Sequence, residues 1–294
     1  MPTSPVASSR GWVDRTRLRG VIGWRSKLFC LSGLAKKIRA AFPLTQNFFP
    51  MTRFRAAAIH FAICAVVGVI LLALFWCVWY PSPLFKAVGG DEVFLMLLAV
   101  DVVLGPLLTL VVFKAGKKSL KFDLAVIGLV QVAALSYGVW TLLVGRPVYI
   151  AGLGAKFAVV QANEIDDAEL KTANQSLPRW GPQWVGTRQA TDKAERERIL
   201  FSSLGGADYG HFPQHHVPLQ TMRDELLKEA KPISELRKRN AANNDALTAW
   251  LTQRGYTDQS AVFQGLRARS QDMAVILDAK TAAVVGIAPF KPWD

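Results

Sequence analysis

Residues 98–113 read LAVDVVLGPLLTLVVF, an apolar run interrupted by one acid, Asp101, and by a Gly-Pro pair at Gly105 and Pro106. A charge is costly to place in lipid, and a proline removes a hydrogen bond from a helix. The run nevertheless belongs to a longer apolar segment, residues 93–113, in which Asp101 is the only formal charge. A bilayer crossing needs about 20 apolar residues. The segment therefore predicts a membrane-spanning helix with a polar interruption near its centre.

Two further segments have the same character. Residues 57–80 carry no charge apart from that of His60, and residues 124–144 carry none. At a rise of 1.5 Å per residue the first of these reaches about 36 Å, enough to cross a bilayer. Three buried helices of a soluble protein would each show a polar face, which the first segment lacks. We predict a membrane domain over residues 51–145 with three transmembrane α-helices, at about 57–80, 93–113 and 124–144.

The net charge of +13 is unevenly distributed along the chain. Residues 1–50 hold nine Lys and Arg against one Asp, which gives +8, whereas residues 145–294 hold 19 basic and 17 acidic side chains, which gives +2. The C-terminal part shows no basic stripe interleaved with aromatic residues, the footprint that nucleic-acid binding requires. We therefore expect no nucleic acid among the partners.

Residues 1–50 show neither a clean apolar run nor an alternating pattern. The stretch MTRFRAAAIHF from Met51 reads like a natural beginning, with two arginines directly before the first apolar helix. We interpret residues 1–50 as a disordered N-terminal extension or as the product of a misassigned start at Met1.

The connections between the helices predict their orientation. Lys and Arg near membrane ends stay preferentially in the cytoplasm. The first connection, PSPLFKAVGGDE, has one Lys and two acids, whereas the second, KAGKKSLKFD, has four lysines. The N-terminus and the second connection are thus expected inside, with everything beyond residue 145 outside. The basic residues that determine this topology are Arg53, Arg55, Lys114, Lys117, Lys118 and Lys121.

Residues 146–294 predict a mixed α+β domain. Two short β-prone runs, 148–151 and 157–161, are followed by a helix capped by Asp166 or Asp167. A later helix has Asp192 three residues before Glu195, as in a capping box. Near the C-terminus, residues 274–277 and 283–287 form a hairpin pattern without the usual turn glycine. These strands and helices predict a mixed domain of about 150 residues, which is large enough to bury its own core.

No catalytic, metal or cofactor site is recognisable in the sequence. The only metal candidate, HFPQHH at residues 211–216, matches no zinc-ligand spacing and has no cysteine near it, so we expect an exposed loop. Nucleophile-elbow, P-loop and dinucleotide-binding motifs are absent from the sequence. We expect no enzyme activity and no cofactor.

The membrane segments are more informative. Gly105 lies four residues after Asp101 on the same helix face, and Pro106 cannot donate to the carbonyl of Val102, so the second helix is expected to loosen beside the acid. Counting from the helix ends places Asp101 level with Ser136 and Tyr137 and places Gln131 level with Pro106. Two readings stay open: a structural joint in which Asp101 donates to a neighbouring helix, and a docking point for another membrane helix.

The sequence also resembles a known family. The stretches WYPSPLF, AVDVVLGPLLTLVVF, KKSLKFDLAVIGLVQVAALSYGVW and RPVYIA resemble the TfpX/TfpZ family of type IV pilin accessory proteins. Looser similarity continues through ERERILFSSLGG, KPISELRKR and DMAVILDAKTAAVVGI to the closing Pro292 and Trp293. The similarity covers residues 51–294 and departs at DAKTAAVVG, where a glycine is expected near Ala282.

The resemblance implies an inner-membrane protein that assists or modulates assembly of the type IV major pilin into pili. A partner with membrane helices and a periplasmic domain can contact both the apolar helix and the external head of a pilin. The alternative is a membrane-anchored sensor or enzyme with an external ligand-binding domain. A pocket lined by convergent polar groups would favour that alternative, and a flat apolar patch would favour a protein partner.

Overall fold

The structure, a computed structural model, describes residues 51–293. From Thr52 onward the described chain forms one compact unit. The interpretation of residues 1–50 as disordered or misassigned falls outside the described residues.

Three helices are long and apolar enough to cross a membrane: Arg53–Trp79, Gly90–Val112 and Leu120–Val144. They confirm the predicted membrane architecture, because each contains most of one predicted apolar segment. Most of their large apolar side chains are exposed, as expected of helices whose solvent is lipid rather than water. The chain is therefore a membrane protein.

The first two spanning helices are not α-helical throughout. The first consists of α1 (Arg53–Leu74) and a π-helical turn, Phe75–Trp79. The second starts with α3 (Gly90–Leu98), widens into the π-helical segment Ala99–Leu104 and ends with α4 (Gly105–Val112). The third, α5 (Leu120–Val144), is regular. The π-helical segment ends at Leu104, two residues before Pro106, so the loosening expected beside Asp101 takes the form of a wide turn.

The connection between the first two spanning helices packs into the C-terminal domain. It contains the short helix α2 (Leu84–Ala87), whose Leu84 and Ala87 belong to the same buried cluster as the sheet residues Ile150, Phe157 and Leu266. The backbone N–H groups of Ser270 and Gln271 donate to the Ala87 carbonyl at 2.9 and 3.0 Å. The membrane helices and the C-terminal domain therefore share a hydrophobic core.

Tyr80 packs at the same junction, on the side of the membrane helices. It is 1% exposed, and its hydroxyl donates to the carbonyl of Leu142 near the end of α5. Its ring lies against Phe75 and Phe85 in edge-to-face geometry. Such aromatic pairs contribute about 0.5–1.5 kcal/mol beyond burial. The end of the helix bundle that meets the domain, called the domain end below, is thus tightly packed.

The C-terminal domain is built on one curled eight-stranded sheet in the order β4-β3-β1-β2-β6-β7-β8, with β5 also pairing with β6. The β1–β3 and β2–β6 pairs are parallel and the others antiparallel. The mixed α+β prediction is confirmed. The strands are β1 (Pro147–Gly152), β2 (Phe157–Gln161), β3 (Gln183–Thr187), β4 (His216–Pro218), β5 (Lys231–Pro232), β6 (Ala261–Arg267), β7 (Met273–Asp278) and β8 (Val284–Ala288).

Five helices pack around the sheet, and two begin at the predicted caps. The Asp166 carboxylate accepts from the Ala168 N–H and that of Asp192 from the Glu195 N–H, both at 2.9 Å. Each cap satisfies a donor that the first helical turn leaves free. The helices are α6 (Asp167–Ala173), α7 (Lys193–Ser203), α8 (Arg223–Glu229), α9 (Ile233–Arg239) and α10 (Asn244–Thr252).

The hairpin between β7 and β8 explains the departure at DAKTAAVVG. Ala282 has φ = +58°, a left-handed conformation that glycine adopts more readily. The Asp278 carboxylate accepts from the N–H groups of Lys280 and Thr281 at 2.9 and 2.8 Å. These hydrogen bonds lower the pKa of Asp278 and hold the turn in place. The Ala282 methyl is buried against the core, which offsets part of the backbone cost.

Candidate functional site

Asp101 lies between the spanning helices. Its side chain is 7% exposed, and neither carboxylate oxygen has a hydrogen-bond partner among the residues of the described chain. A buried polar atom without a partner costs about 1–3 kcal/mol in proteins. Most buried polar atoms in native proteins have a hydrogen-bond partner, so this carboxylate is an exception that needs an explanation. In the described membrane helices, the Asp101 carboxylate and the Oε1 of Gln131 are therefore buried with unmet hydrogen-bonding capacity.

The carbonyl of the same residue is satisfied by Gln131 from α5. In the π-helical pattern the N–H of residue i+5 donates to residue i, and Gly105 N–H accordingly donates to Val100. The next donor, for the Asp101 carbonyl, would be Pro106, which has no N–H. The side-chain amide of Gln131 takes that place at 3.1 Å. The wide turn thus moves the unpaired carbonyl from Val102, where a regular helix would have it, to Asp101.

Gly105 makes this contact possible. A methyl group at its Cα would overlap the side-chain amide of Gln131. Gly105 and Pro106 are both buried, and their helix packs against α1 and α5. The three residues therefore form one joint between the second and third spanning helices. Gly105 has no side chain to block the Gln131 amide, Pro106 leaves the Asp101 carbonyl without a backbone donor, and the Gln131 amide occupies the space and donates to that carbonyl.

Neither of the two predicted partners forms a hydrogen bond with the Asp101 carboxylate, although Tyr137 lines the same groove as the acid. Ser136 is exposed and Tyr137 is 69% exposed to the lipid-facing side, and neither forms a hydrogen bond with the acid. Gln131, which the depth count assigned to Pro106 alone, contacts the backbone of Asp101 instead. The count started the second spanning helix at residue 93, whereas the helix starts at Gly90, and this earlier start brings Asp101 closer to the level of Gln131. The prediction of Ser136 and Tyr137 as hydrogen-bonding partners is corrected accordingly.

Polar residues of the first spanning helix complete the cluster. His60 Nδ1 lies 2.6 Å from the Thr109 hydroxyl, and Thr109 is 3% exposed. Cys64 Sγ lies 3.8 Å from the side-chain nitrogen of Gln131. The sequence alone shows His60 as the one basic residue of its apolar segment but does not indicate its partner. The only signal was its position seven residues into the helix, opposite Thr109 of an antiparallel neighbour.

Two apolar hollows meet at Asp101. The first, called the central cavity, has a volume of about 200 Å³ and is bounded by all three spanning helices, including His60, Gln131 and Val132. The second, called the side groove, has a volume of about 300 Å³. It lies between the second and third helices and is lined by Val93, Met96, Leu97, Val100, Asp101, Ala134, Tyr137, Gly138 and Thr141.

The predicted topology-determining residues lie together at one end of the bundle. Arg53 and Arg55 open α1, and Lys114, Lys117 and Lys118 follow α4, with Lys121 in the first turn of α5. The His60–Thr109 contact shows that the start of α1 lies beside the end of α4. We call this the basic end; the domain end is opposite.

The C-terminal domain holds a polar pocket of about 250 Å³. Within it His211 Nδ1 lies 3.1 Å from the Asp208 carboxylate, and Glu164 accepts from the Gln161 N–H at 2.7 Å. Although burial acts against the charged ring, the hydrogen bond with Asp208 raises the pKa of His211. The remaining lining includes Val88, Arg267 and Arg269. The side chains of Glu164, Asp208 and His211 are used in local turns, whereas the Oε1 of Gln161 is buried without a hydrogen-bond partner in the described chain.

The histidine segment is not the exposed loop that we expected. The side chains of His211 and His215 are 14% and 15% exposed. His215 contacts Glu195 at 3.2 Å, and His216 contacts the Gly210 carbonyl at 2.9 Å. Burial lowers the pKa of His216. The residues lie between α7 and the sheet, so tertiary contacts from both sides bury them. Within residues 51–293, no group of three His, Cys, Asp or Glu side chains could hold a metal ion.

Comparisons with known proteins identify the relatives of this chain. Residues 49–89 match the family described as fimbrial assembly protein FimB. Over 231 residues the chain is 27% identical to the fimbrial assembly proteins of serogroups I and E1 of Dichelobacter nodosus, covering 76% of this chain and 90% of each relative. It is 33% identical over 98 residues to the fimbrial assembly protein of serogroups C1 and C2, covering 33% of this chain and 75% of that protein. No solved structure matches it. By this similarity, the chain belongs to the FimB family of fimbrial assembly proteins.

Proposed function

We propose that this chain is an accessory protein of the bacterial inner membrane that assists or modulates the assembly of the type IV major pilin into pili. It acts by contacting the pilin and not as an enzyme. Family membership and the names of the relatives support a role in fimbrial assembly. The resemblance to TfpX/TfpZ proteins supports the finer assignment to type IV pilin.

The observation that carries the proposal is the unpartnered carboxylate of Asp101. In lipid, no water is available to solvate a buried acid without a partner. Contact with a hydrogen-bond donor of another helix is therefore favourable. A second transmembrane helix that presents a polar or cationic group at this depth would supply the donor. The central cavity and the side groove give apolar walls on either side of the acid, suited to an otherwise apolar helix.

The rigid junction supports a two-part contact with pilin. The membrane helices and the C-terminal domain share a core, so their relative position is fixed by packing. A partner with one apolar helix and an external head could therefore touch both parts at once. The second contact then forms at the high effective concentration that tethering provides.

The proposed orientation follows from charge and aromatic residues. The basic end, with Arg53 and Lys114, faces the cytoplasm, because positive residues are retained there. Trp76 and Trp140 lie near the domain end and are 50% and 57% exposed, as in an interfacial aromatic belt. The C-terminal domain then lies in the periplasm, where pilin heads are expected.

The alternative, a membrane-anchored sensor or enzyme, has one feature in its favour. The polar pocket with Glu164, Asp208 and His211 is the kind of concavity that would favour an external ligand. However, the Asp208–His211 and Glu164–Gln161 hydrogen bonds already occupy these groups in turns. We therefore propose pilin contact as the main function.

Photocrosslinking in cells tests the docking site directly. A photoreactive residue would be placed at Met96 in the side groove or at Val132 in the central cavity; these side chains are 72% and 61% exposed. Gly105 is unsuitable, because a side chain there would displace Gln131. The matched control is Val111, which is 82% exposed on the second spanning helix and lines neither hollow.

We expect pilin to be captured from position 96 or 132 and not from position 111. Capture would be detected as a shifted band that reacts with antibodies against both proteins. If pili form normally but neither position captures pilin, the docking proposal is wrong. Equal capture from all three positions would indicate random collision in the membrane and would also contradict it.

A further inference from the structure

We propose that the C-terminal domain rests on the lipid surface at the domain end, with an apolar and basic rim inserted at the boundary between headgroups and acyl chains. The class of partner is therefore a phospholipid bilayer surface. The rim is distinct from the Asp101 site and does not depend on pilin. It consists of Arg179, Trp180, Phe201, Leu204, Arg267 and Arg269.

Trp180 is held next to the ends of the first and third spanning helices. Arg146, just after α5, donates to the carbonyls of Leu143 at 2.7 Å and Pro178 at 3.3 Å. On the other side, a methyl group on Gly181 would lie 3.6 Å from the Val78 carbonyl oxygen. Trp180 lies between these two contacts and is 77% exposed. A large aromatic side chain is thus presented at the level where the helices leave the bilayer.

Phe201 and Leu204 reach the same level from another part of the chain. They are one helical turn apart at the end of α7 and are 70% and 85% exposed. The chain then turns, and Gly206 lines the polar pocket together with Val88 of the connection between the first two spanning helices. The end of α7 therefore lies beside the domain end of the membrane bundle.

Three arginines accompany these apolar residues. Arg179 precedes Trp180, and Arg267 and Arg269 line the polar pocket beside Val88. All three are exposed, and none forms an ion pair with another residue in the range 51–293. Ser270, the next residue in the chain, donates to Ala87, which fixes the segment against the membrane domain. Unpaired guanidinium groups at this depth can bind lipid phosphates bidentately.

The composition of the rim favours lipid over protein as its partner. Exposed Trp, Phe and Leu combined with Arg are typical of segments that lie in the membrane interface. The rim also continues the lipid-facing surface of the helices, on which Trp76 and Trp140 are exposed at the same end. Apolar side chains exposed by 70–85% would be unfavourable in water, and insertion into the adjacent bilayer removes that cost.

Spin-label depth measurements test the rim in the intact chain. The protein would be reconstituted into nanodiscs of phosphatidylethanolamine and phosphatidylglycerol, in a variant with Cys30, Cys64 and Cys77 changed to Ser. Nitroxides would be attached at Trp180→Cys, Phe201→Cys and Leu204→Cys. The control is Lys280→Cys, an exposed site in the β7–β8 turn, at the end of β7 remote from Ser270.

We expect labels at 180, 201 and 204 to report insertion about 5–10 Å into the headgroup region, with high oxygen and low nickel-chelate accessibility. The label at 280 should report an aqueous site. Aqueous values at all four positions would overturn the proposal, provided that circular dichroism shows a folded protein. Labels that are aqueous in the nanodisc but become shielded when pilin is added would also overturn it, and would assign the rim to a protein partner.

Discussion

The side-chain amide of Gln131 donates a hydrogen bond to the main-chain carbonyl of Asp101, thirty residues earlier in the chain, at 3.1 Å. This contact replaces the donor that Pro106 lacks in the π-helical turn. The carboxylate of the same residue is buried without a partner among the described side chains. Pro106 thereby explains why the joint forms at the Asp101 carbonyl, and the unpartnered carboxylate lies directly beside this joint.

Changing Gln131 to Met should weaken the helix joint by about 1 kcal/mol, since hydrogen bonds between membrane helices average about 0.6 and reach about 1.7 kcal/mol. Methionine keeps the length of the side chain but cannot donate to the Asp101 carbonyl. The free energy of unfolding in mixed micelles measures the effect. Leu129→Ala, at a site 71% exposed on the same helix, is the control and should cost less. An unchanged stability for Gln131→Met would show that the hydrogen bond does not hold the joint.

Changing Gly105 to Ala should cost stability because the added methyl group displaces the Gln131 amide. We expect a loss similar to that of Gln131→Met, and the two changes together should cost less than their sum, because they remove the same contact. Gly128 is the matched control: a methyl group there meets no atom within 4 Å. If the losses in unfolding free energy for Gly105→Ala and Gln131→Met simply add in the double variant, the two residues do not act through the same contact.

Changing Asp101 to Asn separates docking from packing. The carboxylate forms no hydrogen bond within the described chain, so we expect normal accumulation of the variant and reduced capture of pilin from position 132. Immunoblots of membrane fractions and the crosslinking yield measure the two quantities. Thr109→Val, which removes the contact with His60, should instead lower accumulation. Loss of the Asp101→Asn protein from membranes, with pilin capture unchanged per molecule, would identify the acid as a structural residue.

The C-terminal domain should lose stability in acid through Glu195. Hydrogen bonding to Arg198 lowers the pKa of Glu195 from 4.5 to about 2. Because the folded-state pKa is depressed, the stabilisation is complete above about pH 4.5 and is lost as the pH falls towards about 2. Glu195→Gln should flatten this part of the pH dependence, measured as urea midpoints by tryptophan fluorescence. Glu197→Gln on the same helix is the control, because its pair with Lys193 is long and exposed. Identical acid profiles for wild type and Glu195→Gln would refute the assignment.

The C-terminal Trp293 should make Gly265 intolerant of substitution. The indole lies on Gly265 of β6, where a methyl group would overlap the ring, and its N–H donates to Asp272 at 2.8 Å. Gly265→Ala should cost about 1–3 kcal/mol, the usual cost of overpacking. In contrast, Gly205→Ala has ordinary contact at 3.4 Å and should be nearly neutral. Thermal unfolding measures both, and combining Gly265→Ala with Trp293→Leu should recover part of the loss. If the double variant is no more stable than Gly265→Ala alone, overlap with the Trp293 ring is not the cause of the lost stability.

Local patterns predicted much of this architecture. Three apolar runs predicted three spanning helices, because lipid leaves a helix as the simplest way to satisfy every backbone group. The caps at Asp166 and Asp192 and the hairpin around Asp278 were predictable, because each depends on residues within four positions of one another. The Pro-Trp ending was visible as a motif, but its contact with Gly265 was not.

The sequence by itself determined the apolar segments, their order and the presence of an acid, a glycine and a proline in the second one. Only the tertiary structure decided which groups those residues meet: Gln131 and not Ser136 or Tyr137. It also decided that Leu84 and Ala87 belong to the core of the C-terminal domain and that His215 is buried against Glu195. The reason is physical: caps and apolar runs depend on neighbours in the chain, whereas each of these contacts joins residues twenty or more positions apart and forms only when the whole chain packs.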